Sequence, residues 1–127
     1  MKRTILLCSI LLCLVGIVLA VHAERRRVPK GILRHTVAFN FKPDVSQEMV
    51  EKILVDTKAT LPTIKGAANI VVGRQTSRWT KYQYGISIDF INLEAKAAYA
   101  KSPQSMRLHE QYKPYVEDEV VIDIVNE

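Results

Sequence analysis

Two stretches of this chain alternate apolar and polar residues with a period of two, and each is followed by a segment with helical spacing. In the first, Leu33, His35, Val37, Phe39 and Phe41 share one face, and Arg34, Thr36, Ala38 and Asn40 share the other. In the second, Tyr82, Tyr84, Ile86, Ile88 and Phe90 alternate with Gln83, Gly85, Ser87 and Asp89. Successive side chains of a strand point to opposite sides, so such alternation specifies strands with one buried face. A chain built from them must bury that face under something, and the intervening segments supply it.

Lys42-Pro43-Asp44 breaks the first strand, Leu33–Phe41. Ser46 is a good helix N-cap, and Glu48 sits favourably in the first turn. Val50, Ile53, Leu54, Thr57 and Leu61 follow at helical spacing until Pro62 and Gly66 end the helix. Ala68–Thr76 reads as a second strand, centred on Ile70, Val71 and Val72, with Gly73 marking a bulge or a close backbone approach. Ser77–Lys81 is a polar loop carrying Arg78 and Trp79. After the third strand, Tyr82–Phe90, Asn92 can cap a helix over Glu94–Lys101 with Ala95, Ala98 and Tyr99 inward. Ser102-Pro103 punctuates it, Gln104–Tyr112 forms a further helix, and Val116–Val125 closes the chain as a fourth strand. The order β-α-β-β-α-β, with one extra helical piece, predicts the ferredoxin-like α+β pattern: a four-stranded antiparallel sheet with helices on one face. The first and third strands, with the strongest alternation, take its central places.

Charge separates this domain from what precedes it. Six of the 18 Lys and Arg, but only one of the 13 acids, lie before Gly31, which leaves 12 cations against 12 anions in the rest. A basic nucleic-acid footprint on the folded part is therefore disfavoured, and no nucleic-acid partner is expected. Lys2 and Arg3 precede a charge-free run, Ile5–Val21, and Val21-His22-Ala23 offers a peptidase site. Residues 1–23 thus read as a signal peptide cleaved after Ala23, giving a periplasmic or secreted protein. The alternative is an uncleaved membrane anchor at residues 5–21, favoured by Arg25, Arg26 and Arg27 just behind it. Residues 24–31 form a basic, flexible lead-in, and residues 32–127 the domain. Cys8 and Cys13 both fall in the removed segment, so the mature chain has no thiol chemistry and no disulfide. His35 and His109 are its only histidines, too few for a histidine-rich metal site.

The segment Arg34–Lys42 resembles the opening motif of the stress-responsive α/β-barrel family, the dimeric α+β barrel domains. Val72-Gly73-Arg74 resembles the glycine-bearing end of that family's second strand, and Asp89-Phe90 the end of its third. Ala98-Tyr99-Ala100-Lys101-Ser102-Pro103 resembles the approach to its His-Pro-x-His motif, and Val121-Ile122-Asp123-Ile124 its last strand. The likeness spans about Ile32 to Val125. It implies a homodimer in which two sheets close into a barrel. Thr36, Ala38, Val71, Gly85, Ser87, Val121 and Val125, assigned to the face away from the helices, suit such an approach. Asn40, Asp89 and Asp123, assigned to the same face, suit a dry interface less well.

The resemblance also bears on chemistry. A plant polyketide cyclase of the family uses a histidine base assisted by a tyrosine six residues earlier. The matching positions here are Tyr99 and Ser105, and the motif's earlier histidine is Ser102. Serine has no useful basicity near neutral pH, so the cyclase mechanism lacks its base. No residue is assigned a catalytic role. The candidate pocket is His35, Val37, Phe39, Tyr84, Ile86, Tyr99 and Ser105, an apolar chamber with a few hydrogen-bonding groups. The favoured reading is a non-catalytic homodimer that binds a small apolar molecule or serves as an interaction module. The alternative is a cyclase-like or lyase-like enzyme using His35 and Tyr99. Ser105 and His109, four apart on a helix, read as polar residues on a solvated face. Glu117, Asp118 and Glu119 read as an edge or turn that deters aggregation. No metal, cofactor or nucleotide-binding motif is present.

Overall fold

The computed structural model describes residues 28–127. The signal-peptide and anchor expectations, and both cysteines, lie outside those residues. The elements are β1 (Leu33–Phe41), α1 (Gln47–Thr60), β2 (Ala68–Arg74), β3 (Tyr84–Phe90), α2 (Leu93–Ala100), α3 (Pro103–Tyr112) and β4 (Val116–Val125). The strands form one antiparallel sheet in the order β2-β3-β1-β4, with β1 and β3 central. Each helix starts at a side-chain cap. The Ser46 hydroxyl accepts from Met49 N at 3.2 Å, Asn92 Oδ1 from Ala95 N at 2.8 Å, and the Ser102 hydroxyl from Ser105 N at 3.2 Å. Such a bond satisfies one of the donors a helix start leaves open and contributes about 1 kcal/mol.

The helices cover the face bearing Leu33, Phe39, Ile88 and Phe90, all of which are buried. One core cluster joins Leu33, Ile88 and Phe90 to Leu61, Ile64 and Val72; a second joins Phe39 and Tyr84 to Val50. Tyr84 stacks on Phe39 with ring centroids 5.9 Å apart and meets Phe41 edge-on at 4.9 Å.

Four local expectations are corrected. Gly73 is neither a bulge nor a close approach: it pairs with Gly85 in regular register, and a Cβ there would meet open space. The irregularity in β2 lies between Ala68 and Val71, where Asn69 takes φ +47. Asparagine tolerates that left-handed conformation better than most residues. The β2–β3 hairpin is also wider than its alternation suggests, with β2 ending at Arg74 and β3 starting at Tyr84. In α2, Ala95 and Tyr99 pack on the core, but Ala98 is exposed.

The fourth correction is the parity of β4. Val121 pairs with Val37, Asp123 with His35 and Val125 with Leu33, so these three residues stand on the helix side. Val120, Ile122 and Ile124 pair with Ala38, Thr36 and Arg34 on the outer face. Val120 through Val125 is apolar at both parities except for Asp123, so alternation there cannot tell the faces apart; pairing with β1 does. Asp89 and Asn40, also on the outer face, are already satisfied. Arg34 grips Asp89 with both Nε and an Nη, at 2.7 and 2.8 Å, and Asn69 donates to the same carboxylate at 3.0 Å. The Arg34 bonds hold Asp89 below the usual carboxylate range against its burial. Asn40 accepts from Gln83 N and donates to Lys81 O, tying β1 to the hairpin.

Residues 28–31 are held to Asn126, just past β4. The Asn126 side chain donates to Val28 O and Pro29 O, and Gly31 N donates to Asn126 O at 2.7 Å.

Candidate functional site

Helices α1 and α3 do not fully cover β1 and β4, and the gap is a cleft of about 560 Å³. Its walls are mainly apolar: Val37, Phe39, Phe41, Ile86 and Ile88 from the sheet, Ile53 and Leu61 from the first helical segment, and Leu108 from α3. The polar groups on it include His35, Thr57, Tyr99, Ser105, His109 and Tyr112. Of the residues singled out from sequence, His35, Val37, Phe39, Ile86, Tyr99 and Ser105 line this one space. Tyr84 does not. It is buried beside Phe39, and its hydroxyl accepts from Arg74 at 3.2 Å.

His35 and Tyr99 are brought together by a residue with no polar atom. Phe90 is 1% exposed; its ring centroid lies 6.3 Å from that of His35 and 4.9 Å from that of Tyr99. It supports both rings from beneath. Burial pushes the Tyr99 phenol above its ordinary pKa, and the nearby Ser105 hydroxyl draws part of that back. The phenol is thus a neutral hydrogen-bonding group at neutral pH. Ser102, where the family's motif carries histidine, is spent as the cap of α3.

The ring of His35 is oriented by Asp123, which it meets through Nδ1 at 2.7 Å. The other Asp123 oxygen accepts from Lys96 of α2. Burial opposes ionisation of Asp123, but the bonds from Lys96 and His35 outweigh it and hold the carboxyl below its usual range. Among the described residues nothing bonds His35 Nε2, and no buried side-chain nitrogen or oxygen lacks a partner, so Nε2 opens to accessible space. Asp123 and Lys96 escape sequence reasoning. A lone carboxylate among valines and isoleucines is a signal, but its partner depends on the register of β4.

Ser105 and His109 both reach the cleft, without a hydrogen bond between them. Glu117, Asp118 and Glu119 all line it, and Asp118 also pairs with Lys81. Among the described residues no group of histidine, cysteine and carboxylate side chains could hold a metal ion. Arg78 lies over the Trp79 ring at 5.2 Å in a loop where Trp79 is 85% exposed, and neither residue lines the cleft.

A β2-β3-β1-β4 antiparallel sheet with every helix on one face, and a cleft between them, defines a ferredoxin-like α+β protein. The stress responsive A/B barrel domain matches residues 33–126, and the chain belongs to that family. A family member with a ferredoxin-like fold from Mesorhizobium loti is 30% identical, with a TM-score of 0.71 over 77% of this chain and 99% of its own. The hydroxynitrile lyase of Passiflora edulis has a TM-score of 0.70 at 18% identity, over 78% of this chain and 96% of its own. A dimeric ferredoxin-like protein of unknown function from Thermobifida fusca has a TM-score of 0.69 at 17% identity, over 79% and 95%. None of the curated proteins matches.

Proposed function

We propose that this chain forms an exported homodimer that binds a small, largely apolar molecule carrying a hydroxyl group. The observation behind this reading is that His35 and Tyr99 open onto one apolar cleft. Apolar walls favour burial of an apolar ligand, and the two polar groups fix its orientation. 1-Naphthol fits that description and serves as a probe. Saturable binding by calorimetry is expected, weakened about tenfold in His35→Gln, the equivalent of one lost hydrogen bond. Equal affinity in the wild type and the variant, or no saturable binding, would defeat the reading.

A second reading has its own observation. Asp123 on Nδ1 leaves His35 Nε2 open, the arrangement a general base needs. The structural neighbour that is a hydroxynitrile lyase makes a cyanohydrin the sensible probe. Release of benzaldehyde from mandelonitrile, lost in His35→Gln, would establish lyase-like chemistry; no release above the uncatalysed rate leaves binding as the function. Cyclase-like chemistry is the weaker form, because Ser105 stands at the base position.

Export rests on the charge-free run Ile5–Val21 and the Val21-His22-Ala23 site. Exported protein should begin at Glu24 on N-terminal sequencing. Met1 on protein retained in the membrane fraction would instead identify an anchor.

A further inference from the structure

One carboxylate beside His35 serves two nitrogen donors. Asp123 Oδ1 lies 2.7 Å from His35 Nδ1, and its Oδ2 accepts from Lys96 Nζ. Lys96 is not a loosely solvated surface lysine: its side chain is 26% exposed and reaches from α2 to β4. An aspartate alone beside a histidine stabilises the imidazolium form. A lysine already on the same carboxylate offsets that attraction and repels a second positive charge. The remaining surroundings of His35 do little to counter this. β3 places Ile88 opposite it and α2 adds the neutral Tyr99; His109 of α3 and Glu117, Asp118 and Glu119 of β4 line the same cleft, with Asp118 paired to Lys81 and Glu119 opposite Phe39 rather than His35.

We infer that Lys96 is a positioning residue: by sharing the Asp123 carboxylate it weakens that group's pull on a charged imidazole, so that His35 donates Nδ1–H to Asp123 and presents Nε2 to the cleft as an acceptor. The inference rests on the pocket proposed above and names its selectivity. A neutral acceptor at Nε2 takes a hydrogen-bond donor, such as an alcohol, phenol or enol. An imidazolium there would instead take an anion such as a carboxylate. Lys96 therefore tunes the cleft toward neutral hydroxylated ligands.

The test is the titration of His35 in the full chain by NMR, with its signals assigned by comparison with His35→Gln and His109→Gln. Lys96→Met should raise the His35 midpoint by about one pH unit, since a like charge within about 4–6 Å moves a pKa by that much or more. Lys96→Arg, which keeps the charge, should leave the midpoint at the wild-type value. A structural role alone would not separate these two variants. Lys96→Gln replaces Lys96→Met should the latter not fold. Binding gives a second readout: near neutral pH, Lys96→Met should lose affinity for 1-naphthol and gain it for 1-naphthoate. An unchanged midpoint in the charge-removing variant, or equal midpoints in the Met and Arg variants, would overturn the inference. If the midpoint moves as expected while His35→Gln leaves 1-naphthol binding intact, the role of Lys96 in His35 protonation stands and the pocket reading alone falls.

Discussion

Phe90→Ala is expected to destabilise the domain by about 3–5 kcal/mol, the range for removing a buried aromatic ring and leaving its cavity. Phe90 is 1% exposed and belongs to the larger core cluster, with Leu33, Leu61 and Ile88 around it. Equilibrium unfolding in urea at fixed protein concentration measures the loss. The same ring supports His35 and Tyr99. Protein that still folds should therefore also hold the two polar groups less firmly, with broadened His35 signals. A loss under about 1 kcal/mol would mean that the site collapses around the missing ring, contrary to the close packing of protein interiors.

The second large effect concerns assembly. Ala38 pairs with Gly85 on one side and Val120 on the other, at the middle of the outer face. Around it lie exposed Val71, Ile122 and Ile124, an apolar surface that none of the described helices covers. The proposed homodimer buries this face against a second copy. Ala38→Arg would place an unpaired charge there, at a cost of several kcal/mol. A loss of about 4 kcal/mol weakens association roughly a thousandfold. Analytical ultracentrifugation should show a dimer for the wild type and a monomer for the variant, with matching far-ultraviolet circular dichroism. A wild type that sediments as a folded monomer at micromolar concentration would rule out the barrel.

The elements at the sheet's centre were legible because their residues carry their own instructions. β1 runs from Leu33 to Phe41 as its alternation predicts, and Ser46 and Asn92 cap the helices they were expected to cap. Each of these features depends on neighbours within a few residues, where chain connectivity sets the geometry. Elements that lack a clear period carry weaker instructions. Helical spacing points Ala98 inward, but on this short, alanine-rich helix the apolar face is wide and Ala98 is exposed; Gly73 suggests a bulge that Asn69 provides instead. Tyr84 shares parity with the cleft residues, yet it packs behind Phe39 and Phe41.

By itself, then, the sequence determined the order of strands and helices, the buried face of β1 and β3, and the balanced charge of residues 31–127 against the basic residues before them. It also placed His35 and Tyr99 on the covered side of the sheet, through period two in a strand and helical spacing in α2. Tertiary structure alone decided the parity of β4, and with it the partner of His35. Asp123 is 88 residues away from His35 in the chain. With apolar residues at both parities around it, a slip of one residue would turn Asp123 to the opposite face. Only pairing with β1 selects the register, and that single choice brings Asp123 between His35 and Lys96.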